Sequence, residues 1–228
     1  MNKNLISQAF LKSLPIMVGY LVIGFGFGIL LRDAGYGLLW AIAMSLFIYA
    51  GSMQYVGVSL ITAPATLFMT ILTTFMINAR HLFYSISMIS RYKDAGKFKP
   101  YLIFALTDET YALVSDNKHP KGNDRYVFWF LISLFNHFYW ILGTAFGSVF
   151  AKSLPFDTSG ITFSMTAIFV AAYTEQWMAK KHRISAIIGI LVTLLARIIF
   201  GSDMFLIPSM LVIAAILLLL RTKLSKGD

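Results

Sequence analysis

The sequence predicts an all-α polytopic membrane protein of about seven transmembrane helices, some of them interrupted. Three observations carry that prediction. Of the residues, 58% are hydrophobic and only 13% charged, with a mean hydropathy of +0.73, a balance outside that of soluble domains. Several apolar runs approach the ~20 residues that a helix needs to cross a bilayer. The basic residues gather in the polar stretches between those runs, so the net charge of +9 follows the positive-inside rule and calls for no nucleic-acid partner. The chain has no cysteine, which excludes disulfides and thiolate metal sites, and nothing in it calls for a cofactor.

The first apolar run, 14–31, ends at Arg32 and Asp33 and leads straight into another run. It reads as a span rather than a cleaved leader, because no small-residue cleavage site follows it. Gly24 and Gly28 lie one turn apart on one face and suit close helix packing. The second run, 37–61, breaks near its middle at Ala50-Gly51-Ser52-Met53-Gln54-Tyr55. A Gly-Ser pair and a glutamine at membrane depth weaken the helix and are tolerated only beside protein or a polar cavity. The third, 65–90, carries Asn78, Arg80, His81, Tyr84 and Ser85, with Asn78, His81 and Ser85 on one helix face.

Residues 91–125 are more polar, and within them 101–114 forms a short apolar stretch containing Asp108 and Glu109. Adjacent carboxylates make a poor independent span, so a re-entrant or interface-lying helix is expected here. Further spans follow at 126–151, 160–178, 184–200 and 204–220. Trp40, Trp129 and Trp177 lie near span ends and read as interface anchors. His137, beside Asn136, reads as a packing residue.

The second half echoes the first. Phe47-Ile48-Tyr49-Ala50-Gly51-Ser52-Met53-Gln54-Tyr55 is matched by the stretch Phe169 to Trp177, in which Glu175 and Gln176 fall. Gly24, Phe27 and Gly28 are matched by Gly143, Phe146 and Gly147, and Arg80, Phe83 and Ser85 by Arg197, Phe200 and Ser202. A single transporter domain over 1–228 is therefore expected: one repeat over 14–90, the basic loop and short helix over 91–125, a second repeat over 126–202 and a last span at 204–220. If 101–114 does not cross, the basic residues favour seven spans, inverted repeats and a cytoplasmic C-terminus. If it crosses, there are eight spans and the repeats run parallel. Interrupted helices in such repeats form the binding sites of secondary transporters.

The succession of Gly24-Phe25-Gly26-Phe27-Gly28, Ala50 to Tyr55, Asn78 to Tyr84 and Leu106-Thr107-Asp108-Glu109-Thr110-Tyr111-Ala112 resembles the AzlC family, the large subunits of branched-chain amino-acid exporters. The resemblance covers 15–200. It implies export of branched-chain or similar amino acids across the cytoplasmic membrane of a bacterium, driven by an ion gradient, with a small hydrophobic AzlD-like membrane subunit as partner.

A zwitterionic aliphatic substrate needs donors for its carboxylate, acceptors for its ammonium group and an apolar pocket. The half-helix N-terminus at Gly51, Ser52 and Gln54 offers free N–H groups and a positive dipole end, and Asn78, Arg80 and Gln176 complete the expected substrate-binding set. Intramembrane ionisable residues mark ion pathways or ion pairs, so His81, Asp108, Glu109, Glu175 and Arg197 are the expected proton-coupling or ion-pairing groups. Asp108 and Glu109 point about 100° apart on a helix, so at most one faces the cavity. A channel or non-transporting scaffold is the alternative. The chain lacks HExxH and Gly-x-Ser-x-Gly patterns, so no enzymatic activity is expected.

Overall fold

A computed structural model describes residues 3–63, 65–78, 80–115, 120, 122, 124–151, 170, 173, 174, 177, 178 and 183–224. All regular structure among them is helical, and the chain divides into two compact units, Met1–Met165 and Thr166–Asp228. Among the described residues, three helical stretches are long and apolar enough to cross a membrane: Asn4–Asp33, Asp124–Phe150 and Arg183–Gly201. The other apolar helices are shorter, including Leu38–Phe47 and Leu67–Asn78.

In the first unit the helices are α1 (Lys3–Asp33), α2 (Leu38–Phe47), α3 (Gly51–Thr62), α4 (Leu67–Asn78), α5 (Arg80–Met88), α6 (Lys99–Phe104), α7 (Asp108–Ser115) and α8 (Asp124–Phe150), with a 3₁₀ turn at Gly96–Phe98. The pairing of α1 with α8 is the most extensive among the described residues. Glycine makes it possible. A Cβ on Gly24 would meet the backbone nitrogen of Thr144 at 3.1 Å, and one on Gly143 would lie 2.7 Å from the carbonyl oxygen of Leu21. The two Gly-x-x-Phe-Gly motifs that echo each other in sequence thus face each other across one interface. Small residues let backbones approach where lipid supplies no hydrophobic driving force.

Around this pair lie two clusters. Leu5 and Ala9 of α1 pack with Met88, Tyr92, Leu102, Trp129 and Ile132, so α1 begins well before the apolar run at 14. Trp129 is 1% exposed, with its ring 5.6 Å from that of Tyr92. A side chain enclosed by protein cannot anchor at the lipid headgroups, so the interface role expected for Trp129 is corrected. Trp40 is exposed, as an anchor must be. The second cluster gathers Tyr20, Phe27, Ala41, Tyr49, Tyr55, Tyr139 and Trp140. Leu67, Phe68, Ile71 and Phe75 of α4 are exposed, which suits a lipid-facing surface.

The second unit contains α9 (Arg183–Met204), in which Gly201 adopts φ 76°, and α10 (Leu206–Leu224). The positive φ at Gly201 ends the regular helix just before the next span, at the boundary the sequence places between 200 and 204.

Candidate functional site

Two helix breaks organise the first unit. The first separates α2 from α3. Tyr49 adopts φ 45°, a left-handed conformation that bulky residues rarely hold. Its neighbours keep it there. Tyr49 is buried, stacks on His137 at 4.2 Å between ring centroids, and lies edge-on to Tyr20 at 6.5 Å. His137 Nε2 donates to the Ser45 carbonyl at 3.1 Å and so satisfies one of the acceptors left open where α2 ends. With its Nε2 protonated, the neutral ring accepts from the Tyr101 hydroxyl at Nδ1, 3.0 Å away.

α3 starts at Gly51 with no side-chain cap, so its first N–H groups have no partner inside the helix. A Cβ on Gly51 would meet the Trp140 ring at 3.2 Å. Gly51 therefore serves close packing. Gln54 is 1% exposed and its Oε1 accepts from Trp140 Nε1 at 3.0 Å, while its buried Nε2 has no hydrogen-bond partner among the described residues. Tyr55 donates to the Ile23 carbonyl at 2.6 Å and ties α3 to α1.

The second break lies between α6 and α7, where the sequence reading has one short helix. Thr107 caps α7: its hydroxyl accepts from the Thr110 amide at 3.2 Å, and its carbonyl accepts from the Tyr111 amide at 2.8 Å. Asp108 and Glu109 occupy the first turn of α7, where carboxylates suit the helix dipole. At the other end, Arg91 donates to the carbonyls of Val114 and Ser115 at 3.3 and 2.9 Å.

From these breaks a polar chain crosses the core. The Tyr20 hydroxyl donates to Glu109 Oε2 at 2.6 Å and lies 2.7 Å from Thr107 Oγ1. Thr107 and Thr110 are joined by a 3.0 Å hydroxyl bond, and Asn136 Nδ2 donates to Thr110 Oγ1 at 3.0 Å. Asn136 Oδ1 is buried without a protein partner among the described residues. Trp140 links this network to Gln54, because its ring stands 5.6 Å from that of Tyr20. A buried amide left half-satisfied is costly and marks a place where a ligand or water completes the bonding. The Thr107→Val variant removes the cap and two hydroxyl contacts; it is expected to lower stability by about 1 kcal/mol or more, read as a lower melting temperature in detergent.

Of the expected site residues, Gly51, Gln54 and Glu109 fall within or beside this assembly. Glu109 enters the network through Tyr20, and Asp108, the residue before it in the first turn of α7, is half-buried. Ser52 sits in the first turn of α3. Asn78 donates to the Thr74 carbonyl at 3.0 Å, and His81 Nδ1 donates to the Asn78 carbonyl at 3.1 Å. Asn78 also lines an apolar groove of about 440 Å³ with Thr70, Ile71, Thr74, Phe75 and Leu82. Arg80 opens α5. Arg197 is exposed on α9 in the second unit. Glu175 and Gln176 lie outside the described residues.

Tyr20, Thr107, Asn136, His137 and Trp140 escaped the sequence reading as site residues. Each is a polar or aromatic group in an apolar run, and the available signal was the spacing of Ser133, Asn136, His137, Trp140 and Thr144 along one face of α8.

Residues 15–154 match the sequence model of the AzlC protein family. The chain is 38% identical over 221 residues to the branched-chain amino acid transport protein AzlC of Bacillus subtilis (strain 168), covering 97% of this chain and 87% of that protein. An uncharacterized membrane protein of Helicobacter pylori (strain J99) is 39% identical over 95% of each chain. The inner membrane protein YgaZ of Escherichia coli (strain K12) is 29% identical over 74% of this chain and 72% of its own length. No solved structure matches.

Proposed function

The chain belongs to the AzlC family, and from that premise we propose that it is a secondary transporter exporting branched-chain or similar hydrophobic amino acids across the cytoplasmic membrane. The observation that carries the reading is the buried polar network at two helix breaks inside an otherwise apolar bundle. Such breaks are tolerated at membrane depth only where they meet protein or a cavity, and they supply a zwitterion's needs in one place. The N-terminal turn of α3, at the positive end of its dipole, and Gln54 Nε2 receive the carboxylate. Asn136 Oδ1 and the C-terminal carbonyls of α2 receive the ammonium group. Tyr49, Trp140 and Phe27 wall the side-chain pocket.

Glu109 is the proton carrier in this reading, held by Tyr20 at the edge of the network. Ser52 completes the N-terminal anion site, and Asn78, Arg80 and Gln176 are secondary substrate contacts. His81, Asp108, Glu175 and Arg197 serve intramembrane pairing or proton relay. Seven spans, inverted repeats, a cytoplasmic C-terminus and a small AzlD-like partner belong to the same proposal.

The test is efflux of labelled leucine and valine from dipeptide-loaded cells lacking their own exporters, with the chain expressed alone and beside the small partner. Faster, uncoupler-sensitive efflux when both are present is the expected result. Unchanged efflux with both proteins in the membrane overturns the substrate assignment.

A further inference from the structure

His137 bonds to the helix that precedes each break, α2 before the first and α6 before the second. Its Nε2 donates to Ser45 O near the end of α2, its Nδ1 accepts from Tyr101 of α6, its ring stacks on Tyr49 at the strained turn, and Phe104, the last residue of α6, lies 5.8 Å from it. It is 5% exposed and projects from α8, the helix paired with α1 along the glycine interface. Two half-helix ends that share one rigid ring cannot rearrange independently.

We propose that His137 is a positioning residue that couples the two breaks, so that the α2–α3 turn and the α6–α7 turn change conformation together during each transport cycle. The proposal rests on the transport reading for its consequence and on geometry alone for the coupling. Two features distinguish this role from packing. A packing residue at this position would be replaceable by an apolar ring of the same size, whereas the coupler needs one donor and one acceptor on opposite sides. The left-handed Tyr49 turn also needs something to hold it, and His137 does so from both its face and its edge.

The experiment is backbone hydrogen exchange of the full chain in lipid nanodiscs, with leucine transport by the same variants in proteoliposomes. Tyr101→Phe removes one hydroxyl on α6 and keeps the ring. It is expected to speed amide exchange at 48–52 by about fivefold, the loss of one hydrogen bond's worth of protection. His137→Phe keeps the ring stack and loses both bonds, so exchange rises at both 48–52 and 105–109. His137→Gln keeps one amide donor and one acceptor and is expected to restore most of the protection. The double variant Tyr101→Phe with His137→Phe should be no faster than His137→Phe alone. In transport, His137→Phe lowers the maximal rate and leaves KM near the wild-type value.

Faster exchange in Tyr101→Phe confined to 101–107, with 48–52 unchanged, overturns the coupling. So does His137→Phe that matches the wild type at both breaks. A wild-type chain that moves no leucine sinks the substrate assignment while the exchange data still decide the coupling.

Discussion

Gly147→Val is expected to abolish the folded state, or to leave a small fraction of it with a sharply lowered melting temperature. A Cβ at Gly147 would sit on the carbonyl oxygen of Phe25 and within 2.7 Å of its carbonyl carbon. Those atoms are backbone, so no side chain can swing aside and α1 must separate from α8. Overpacking costs about 1–3 kcal/mol when neighbours can adjust, and helix backbones adjust least. Gly28 presents the same situation from the other helix, with a Cβ 2.6 Å from the Ser148 nitrogen. The loss extends beyond stability. Separating the pair draws Tyr20 on α1 away from Glu109 and Trp140 on α8 away from Gln54, so the polar network comes apart with the interface. Gly19→Ala is the control, since nothing lies within 4 Å of a Cβ there. Folded yield and thermal stability by size-exclusion chromatography in detergent distinguish the two. A Gly147→Val protein as stable as the wild type contradicts the close approach of α1 and α8.

The second large effect is expected at Glu109. Glu109→Gln keeps the shape and can still accept from the Tyr20 hydroxyl, but it has no proton to release. If Glu109 carries the coupling proton, net leucine efflux driven by a pH gradient falls by about tenfold or more, equivalent to about 1.4 kcal/mol on the rate-limiting barrier. Leucine–leucine counterflow, which moves no net proton, stays close to the wild-type rate. Tyr20→Phe removes the hydroxyl that holds the carboxylate and is expected to reduce net efflux less than Glu109→Gln does. Net efflux by Glu109→Gln that remains fast and sensitive to uncoupler moves the coupling site elsewhere. Loss of both net efflux and counterflow makes Glu109 a substrate contact instead.

How much of this was legible in the sequence varies by element. The Gly51 break was visible, because glycine, serine and glutamine inside an apolar run conflict with an uninterrupted membrane helix. The break before Asp108 was not, since Ala105-Leu106-Thr107 contains neither glycine nor proline. It exists because the Thr107 hydroxyl caps α7 and also meets Tyr20, and only the second of these partners is distant in the chain. Trp129 was misplaced for a related reason. A tryptophan near a span end suits the headgroup region equally well whether or not Tyr92 and Tyr126 enclose it, and composition does not reveal neighbours.

By itself the sequence determined the membrane class, the helical fold, the glycine faces and the first interruption, since hydropathy and backbone propensity are local properties that each segment carries wherever it is placed. Only the tertiary structure decided that the two Gly-x-x-Phe-Gly faces meet each other, that Tyr20, Glu109 and Asn136 share one polar network with Gln54 joined through Trp140, and that His137 ties α2 to α6. A buried hydroxyl, amide or imidazole is stable in an apolar core only when a partner is brought to within about 3 Å, and which partner arrives depends on helices far apart in the chain.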